Sequence, residues 1–175
     1  MKIEVVEHDP EWAEAFDSEK KLLQEKLGKA VSRIHHIGST SVKNLAAKPV
    51  IDIMLEVESL ESIDLLTPVI EAIGYEAMGE FGIPGRRYFR KGKSKRTHQI
   101  HAFKSGDANI ERHLAFRDYL KAHPAILQEY GRLKKGLAET CSDMDSYCDG
   151  KDAFIKKYEA IALEWSGRDG PPQVG

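Results

Sequence analysis

Two features of the sequence have residue types suited to chemistry: the run His36-Ile37-Gly38-Ser39-Thr40-Ser41 and, thirteen residues after Ser39, the carboxylate of Asp52. Glycine lets backbone come close to a ligand. The hydroxyls of Ser39, Thr40 and Ser41, together with successive backbone N–H groups after a strand, suit a phosphate. The run is no Walker loop, because GxxxxGK[ST] is absent, and no dinucleotide fingerprint. Asp52 interrupts an apolar stretch, Val50 to Val57. Burying a lone carboxylate is costly unless it is paired or binds a cation, so Asp52 is either tied to a basic partner or stands at the mouth of a cleft.

Other chemistries fit poorly. Ser39 lacks the GxSxG frame of a nucleophile elbow. Cys141 and Cys148 form no CxxC, and two unpaired thiols fit a reducing cytosol. His98 and His101 face opposite sides of a strand and cannot chelate one metal as a pair. The basic residues Arg86, Arg87, Arg90, Lys91, Lys93, Lys95 and Arg96 crowd one stretch, either as a solvated hairpin or as contacts to an anion.

The elements that must position these residues read as one α/β domain over residues 1–166, with a disordered Gly- and Pro-rich tail at 167–175. The composition, 41% hydrophobic and 31% charged with net charge −2, is that of an ordinary soluble chain. It gives no reason to expect nucleic acid or a membrane, and the N-terminus lacks a signal peptide's apolar core, so a cytoplasmic protein is expected. Residues 2–6 read as a short strand, and Asp9-Pro10 as the start of a helix that carries Trp12, Phe16, Leu23 and Leu27 to Gly28. Strands follow at 31–37 and 50–57, the latter with Ile51, Ile53, Leu55 and Val57 on one face and Asp52, Met54 and Glu56 on the other. A helix at 61–73 is broken by Pro68, and strands at 86–91 and 97–103 flank a hairpin turn. Three helices close the chain, at 109–121, 125–139 and 151–165.

Several segments together resemble the GrpB family, a set of bacterial domains placed in the nucleotidyltransferase superfamily. They are His36–Val42, Leu45–Ile53, Arg87–Lys91, His98–His101, His113–Leu120, and Tyr147 through Lys151 to Ile155. The resemblance implies a nucleotidyltransferase-like mixed sheet flanked by helices, with the C-terminal helices closing one side of a cleft. It implies Asp52 as a catalytic, metal-holding carboxylate, and it places His101 at the same cleft. Nucleotidyl transfer wants two or three carboxylates around divalent metal. The alternate position to Asp52 is Met54, whose thioether is a poor magnesium ligand, and Glu56 lies about 13 Å away along the strand. The third position falls among His98, Gln99 and His101.

The expectation is therefore a nucleotide- or phosphate-binding domain with a degenerate metal site. Gly38, Ser39, Thr40, Ser41, Lys48, Arg87, His101 and Lys151 form the phosphate site, and Asp52 holds at most a Mg2+ ion. A nucleotide or a coenzyme A-related ligand is implied, because GrpB-like domains occur fused to dephospho-coenzyme A kinases. The alternatives are an active metal-dependent nucleotidyl or phosphoryl transferase and a non-catalytic interaction domain. Arg87 is expected to reach the Asp52 cleft.

Overall fold

The computed structural model describes residues 3–167. The first helix, α1 (Glu11–Leu27), starts where the Asp9 carboxylate accepts the N–H of Glu11 at 2.9 Å. It ends at Gly28, whose φ of +54° suits a residue without a Cβ. Five strands follow: β1 (Val31–Ile37), β2 (Ile51–Val57), β3 (Tyr75–Ala77), β4 (Arg86–Lys91) and β5 (His98–Lys104). Between β2 and β3 lie α2 (Leu60–Leu65) and α3 (Thr67–Ala72), separated beside Pro68 as its ring requires. Three helices complete the chain: α4 (Ala108–Ala122), α5 (Pro124–Thr140) and α6 (Met144–Ser166).

The strands form one mixed sheet in the order β1-β2-β5-β4-β3. Only β2 and β5 run parallel. β2 lies inside the sheet between β1 and β5, and both its faces are covered. Ile51, Ile53, Leu55 and Val57 pack with Ile100 and Ala102 of β5 against Trp12, Phe16, Leu23 and Leu27 of α1 and Ile63 and Ile70 of α2 and α3. On the other face Met54 joins Ile37 and Phe103 beneath Ile110 and Leu114 of α4. The molecule is thus a layered α/β fold with helices on both faces. The helices after β5 extend beyond the sheet: α5 covers the loop after β1 through Val42, Leu45, Leu127 and Tyr130. Among the described residues no helix is long and apolar enough to cross a membrane.

The sequence expectation needs three changes. In place of a strand at 2–6, the described residues there make one isolated bridge, Val6 to Ala47, because no neighbouring strand continues the ladder. An extra edge strand, β3, pairs with β4. Helix α6 begins at Met144 instead of 151, because Asp143 accepts the Ser146 N–H at 2.7 Å and caps it there. Most of the expected tail lies outside the described residues; Gly167 ends α6 in the left-handed conformation.

One polar group is set into the α1-covered side. Glu19 is buried and accepts from Tyr75 Oη at 2.9 Å and Lys91 Nζ at 2.8 Å, with His98 Nε2 at 3.6 Å. Burial and the adjacent Glu19 charge push the Tyr75 hydroxyl well above its ordinary pKa. Replacing Glu19 by Ala strands a half-buried ammonium and leaves the phenol without its acceptor. A loss of roughly 2–4 kcal/mol in urea unfolding is expected, against about 1 kcal/mol for Tyr75→Phe. Equal small effects from both substitutions would contradict this role for Glu19.

Candidate functional site

The site is built where β1 ends. In the antiparallel register Ile37 stands opposite Asp52, so the chain leaves β1 beside that carboxylate. Gly38 makes the turn with φ +72°. A Cβ on residue 38 would lie 2.5 Å from Asp52 Oδ2, a contact that no side chain tolerates. Glycine is therefore needed twice, for the left-handed φ and for the close approach. After it, Ser39–Ser41 form one tight helical turn.

The hydroxyls of this turn are divided between support and exposure. Thr40 is buried; its Oγ1 meets His36 Nε2 at 3.0 Å and reaches the Val50 carbonyl at 3.4 Å. His36 stacks on Phe16, and its burial lowers its pKa to about 4, so it serves as a neutral hydrogen-bonding strut. Ser41 Oγ donates to the Gly38 carbonyl and closes the turn. Ser39 is half-buried and hydrogen-bonds Tyr130 of α5, leaving it the hydroxyl best placed to meet a ligand.

Asp52 Oδ1 meets His101 Nε2 at 3.1 Å, and Arg86 Nη1 meets His101 Nδ1 at 3.2 Å. A guanidinium only donates, so His101 accepts at Nδ1 and donates from Nε2 to the carboxylate. The Asp52 side chain keeps 24% of its exposure, with Oδ2 on the Gly38 side. Arg86 is itself buried: it donates to the Glu80 and Phe81 carbonyls and lies over the Tyr88 ring, 4.8 Å from the centroid. Desolvation is the main influence lowering its pKa. Behind His101 lies His113 of α4, whose pKa burial holds well below the usual histidine value, with Arg112, His101 and Arg86 adding to that effect.

Arg87 does not reach this cleft. It pairs with Asp64 at 2.7 Å on the opposite side of β4, because neighbouring strand residues point to opposite faces. Arg86 occupies the place expected of it. Lys48 and Lys151, both expected, meet at the ring of Tyr147, 5.5 and 4.6 Å from its centroid. Sequence reasoning missed a third lysine beside them, Lys134 of α5. It is 2% exposed, its Nζ lies 4.4 Å from the Tyr130 centroid, and that Nζ has no hydrogen-bond partner. The buried Tyr147 hydroxyl also lacks one. Among the described residues, none of these lysines has a carboxylate at ion-pair distance. Burial lowers the Lys134 pKa to about 6, and the charges of Lys151 and Lys48 push it the same way. Burial and Lys48 likewise lower that of Lys151, while the field of Asp52 works against the shift. The signal for Lys134 was present: with Leu127 and Tyr130 it follows core spacing along α5, where a lysine is out of place.

The carboxylate set expected of a two-metal site is not assembled. Met54 is fully buried in the apolar layer beneath α4. Glu56 is taken by His35 at 3.0 Å. Among the described residues no group of three or more His, Cys, Asp and Glu side chains is placed to hold a metal ion. Asp52 alone remains, with one oxygen already engaged.

The lysine cluster has a pH signature. Unfolding restores Lys134 to the ordinary value of 10.5, so between pH 6 and 10.5 the unfolded chain binds a proton that the folded chain lacks. Its contribution makes stability rise with pH across that window, by about 1.4 kcal/mol per unit where the difference is a full proton. Lys134→Met should raise the melting temperature of the free protein near pH 7 and flatten that rise. Urea titrations from pH 6 to 9 check it; parallel stability–pH curves for parent and variant would contradict it.

The chain is 49% identical to the UPF0157 protein YqkA of Bacillus subtilis over 94% of its own length, and it spans 48% of that protein. It is 36% identical to the glutamate-rich protein GrpB of Alkalihalophilus pseudofirmus, over 86% of this chain and 90% of that one. The crystal structure of GrpB from Enterococcus faecalis superposes with a TM-score of 0.88 at 52% identity, covering 92% of this chain and 98% of that one. More distant are the dephospho-CoA kinase of Mycobacterium leprae, 26% identical over 95% of this chain and 48% of that protein, and the Cid1 poly (U) polymerase, whose TM-score of 0.44 is too low to bear on the site. The profile of the GrpB protein family matches residues 2–160. With that match spanning nearly the whole fold, the chain belongs to the GrpB family.

Proposed function

We propose that the chain binds a phosphate-bearing small molecule, a nucleotide or a coenzyme A-related ligand, between the Gly38–Ser41 turn and α6. The observation that carries this reading is Lys134: a buried amine with neither an acidic nor a hydrogen-bond partner, beside Lys48 and Lys151. Burial disfavours the charged form of an unpaired amine, and an anion that supplies the missing partner restores it. The turn adds the Ser39 hydroxyl and the backbone N–H groups after Gly38. A coenzyme A-related ligand is supported by the likeness to a dephospho-CoA kinase, and a nucleotide by the nucleotidyltransferase-like pattern that the sequence resembles.

A second reading, group transfer at Asp52, is favoured by the Arg86–His101–Asp52 chain, which fixes Oδ1 and keeps Oδ2 toward the turn. In that reading the carboxylate takes the proton of an attacking hydroxyl. The side chains do not fit a metal-held mechanism of the two-carboxylate kind, so none is assigned.

A thermal-shift series with ATP, coenzyme A and dephospho-coenzyme A tests the binding reading. A ligand at about 100 times its Kd stabilises by about 2.7 kcal/mol, a shift of several degrees for a chain of this size. The parent should respond and Lys134→Met should not, although the variant is folded. A response of equal size in both would contradict the site. Asp52→Asn should keep binding whether or not transfer occurs; if turnover of the bound ligand is detected, that variant should abolish it.

A further inference from the structure

The same site differs from a metal-assisted phosphate site in one respect: the carboxylates are missing where the cations are in excess. Asp52 stands alone, Met54 is sealed in the apolar layer, and Glu56 is paired to His35. Toward α5 and α6, Lys48, Lys134 and Lys151 surround the rings of Tyr147 and Tyr130. The buried Tyr147 hydroxyl and Lys134 Nζ are both without hydrogen-bond partners.

Resting on the binding reading above, we infer that the ligand is a polyphosphate held as its metal-free anion, with Lys48, Lys134 and Lys151 supplying the counter-charge a divalent ion would otherwise bring.

Three physical points carry this. First, a polyphosphate already wrapped around Mg2+ brings less negative charge to a site whose need is for negative charge. The attraction between the lysines and the ligand is therefore weaker in the metal complex. Second, Lys134 is placed where water is excluded, with Lys48 and Lys151 half-buried beside it, which strengthens contacts to a phosphate oxygen there. The groups facing Lys134 are Lys48 before β2, Lys151 and Tyr147 from α6, and Tyr130 on its own helix. Acids reach this group through their fields: Asp52 on Lys151, and Glu159, itself paired with Arg112, together with Asp52 on Tyr130. Third, more than one phosphate is needed. Once a bound anion has returned the proton to Lys134, three ammonium groups beside two tyrosine rings exceed what the charge of a single monoester neutralises at pH 7, about −1.5 to −2.

The role of Asp52 then inverts. As a metal ligand it would attract the complex; without metal its carboxylate repels the incoming phosphates. Removing its charge has opposite consequences under the two arrangements.

The test uses inorganic tripolyphosphate and the full chain, with calorimetric titration at pH 7 in EDTA and again in excess MgCl2. The inference expects binding in EDTA, at least threefold weaker binding in magnesium, and loss of binding in both Lys134→Met and Lys151→Ala. It expects Asp52→Asn to bind tripolyphosphate in EDTA at least as tightly as the parent. Orthophosphate should bind at least tenfold more weakly than tripolyphosphate. Binding that appears only with magnesium, or that Asp52→Asn destroys, overturns the metal-free inference and leaves the phosphate reading intact. Absence of binding in both conditions, for tripolyphosphate and for ATP alike, overturns both. Binding that survives both lysine substitutions places the anion elsewhere and overturns the site.

Discussion

The structure depends on one close approach, the backbone of Gly38 against the carboxylate of Asp52. Residue 38 has room for a hydrogen and nothing more, since a Cβ would be 2.5 Å from Asp52 Oδ2. That contact sets the direction in which the chain leaves β1. The next residues turn over the end of β2, Thr40 is pinned by His36 and the Val50 carbonyl, and Ser39 is delivered to Tyr130. Val42 and Leu45 are then buried against α5, which brings Lys134 to the same end of the sheet. The glycine, the buried histidine and the C-terminal helices therefore act as one device that faces a small polar turn with lysines.

Charge is distributed unevenly around that device. On the α1-covered side of the sheet the buried carboxylate Glu19 is answered by Lys91, Tyr75 and His98, as a stable interior demands. On the site side the reverse holds. Arg86 is buried on carbonyls, a histidine and a ring, and Lys134 on rings alone. The fold satisfies one buried charge fully and leaves a buried lysine without a partner; under the binding proposal that place belongs to an external anion. Functional sites are where such departures from local consistency collect.

Much of this was legible in the sequence. Alternation along Val50 to Val57 showed which face carries Asp52, and the run at 36–41 marked the turn beside it. Proline and glycine punctuation placed most of the helices. Two residues escaped for physical reasons. Strand periodicity alone cannot say which of Arg86 and Arg87 faces the cleft; the register against β5, which puts Tyr88 opposite His101, decides for Arg86. Lys134 escaped because apolar spacing was counted on α5 through its leucines and Tyr130, while the lysine at a core position was passed over. The start of α6 was missed because Asp143 caps it several residues before its apolar stripe begins.

The claim on which the account stands is that Lys134 waits for an anion. Its protonation can be read directly from the carbon-13 chemical shift of its Cε, assigned by comparison with Lys134→Arg. At pH 7.5 the free protein should show the shift of a neutral amine, in keeping with a pKa near 6. Saturation with ATP should move that signal to the ammonium position at unchanged pH, because a phosphate at contact distance favours the charged form. A Lys134 signal already at the ammonium position in the free protein, or one left unmoved while ATP binds, would contradict the account.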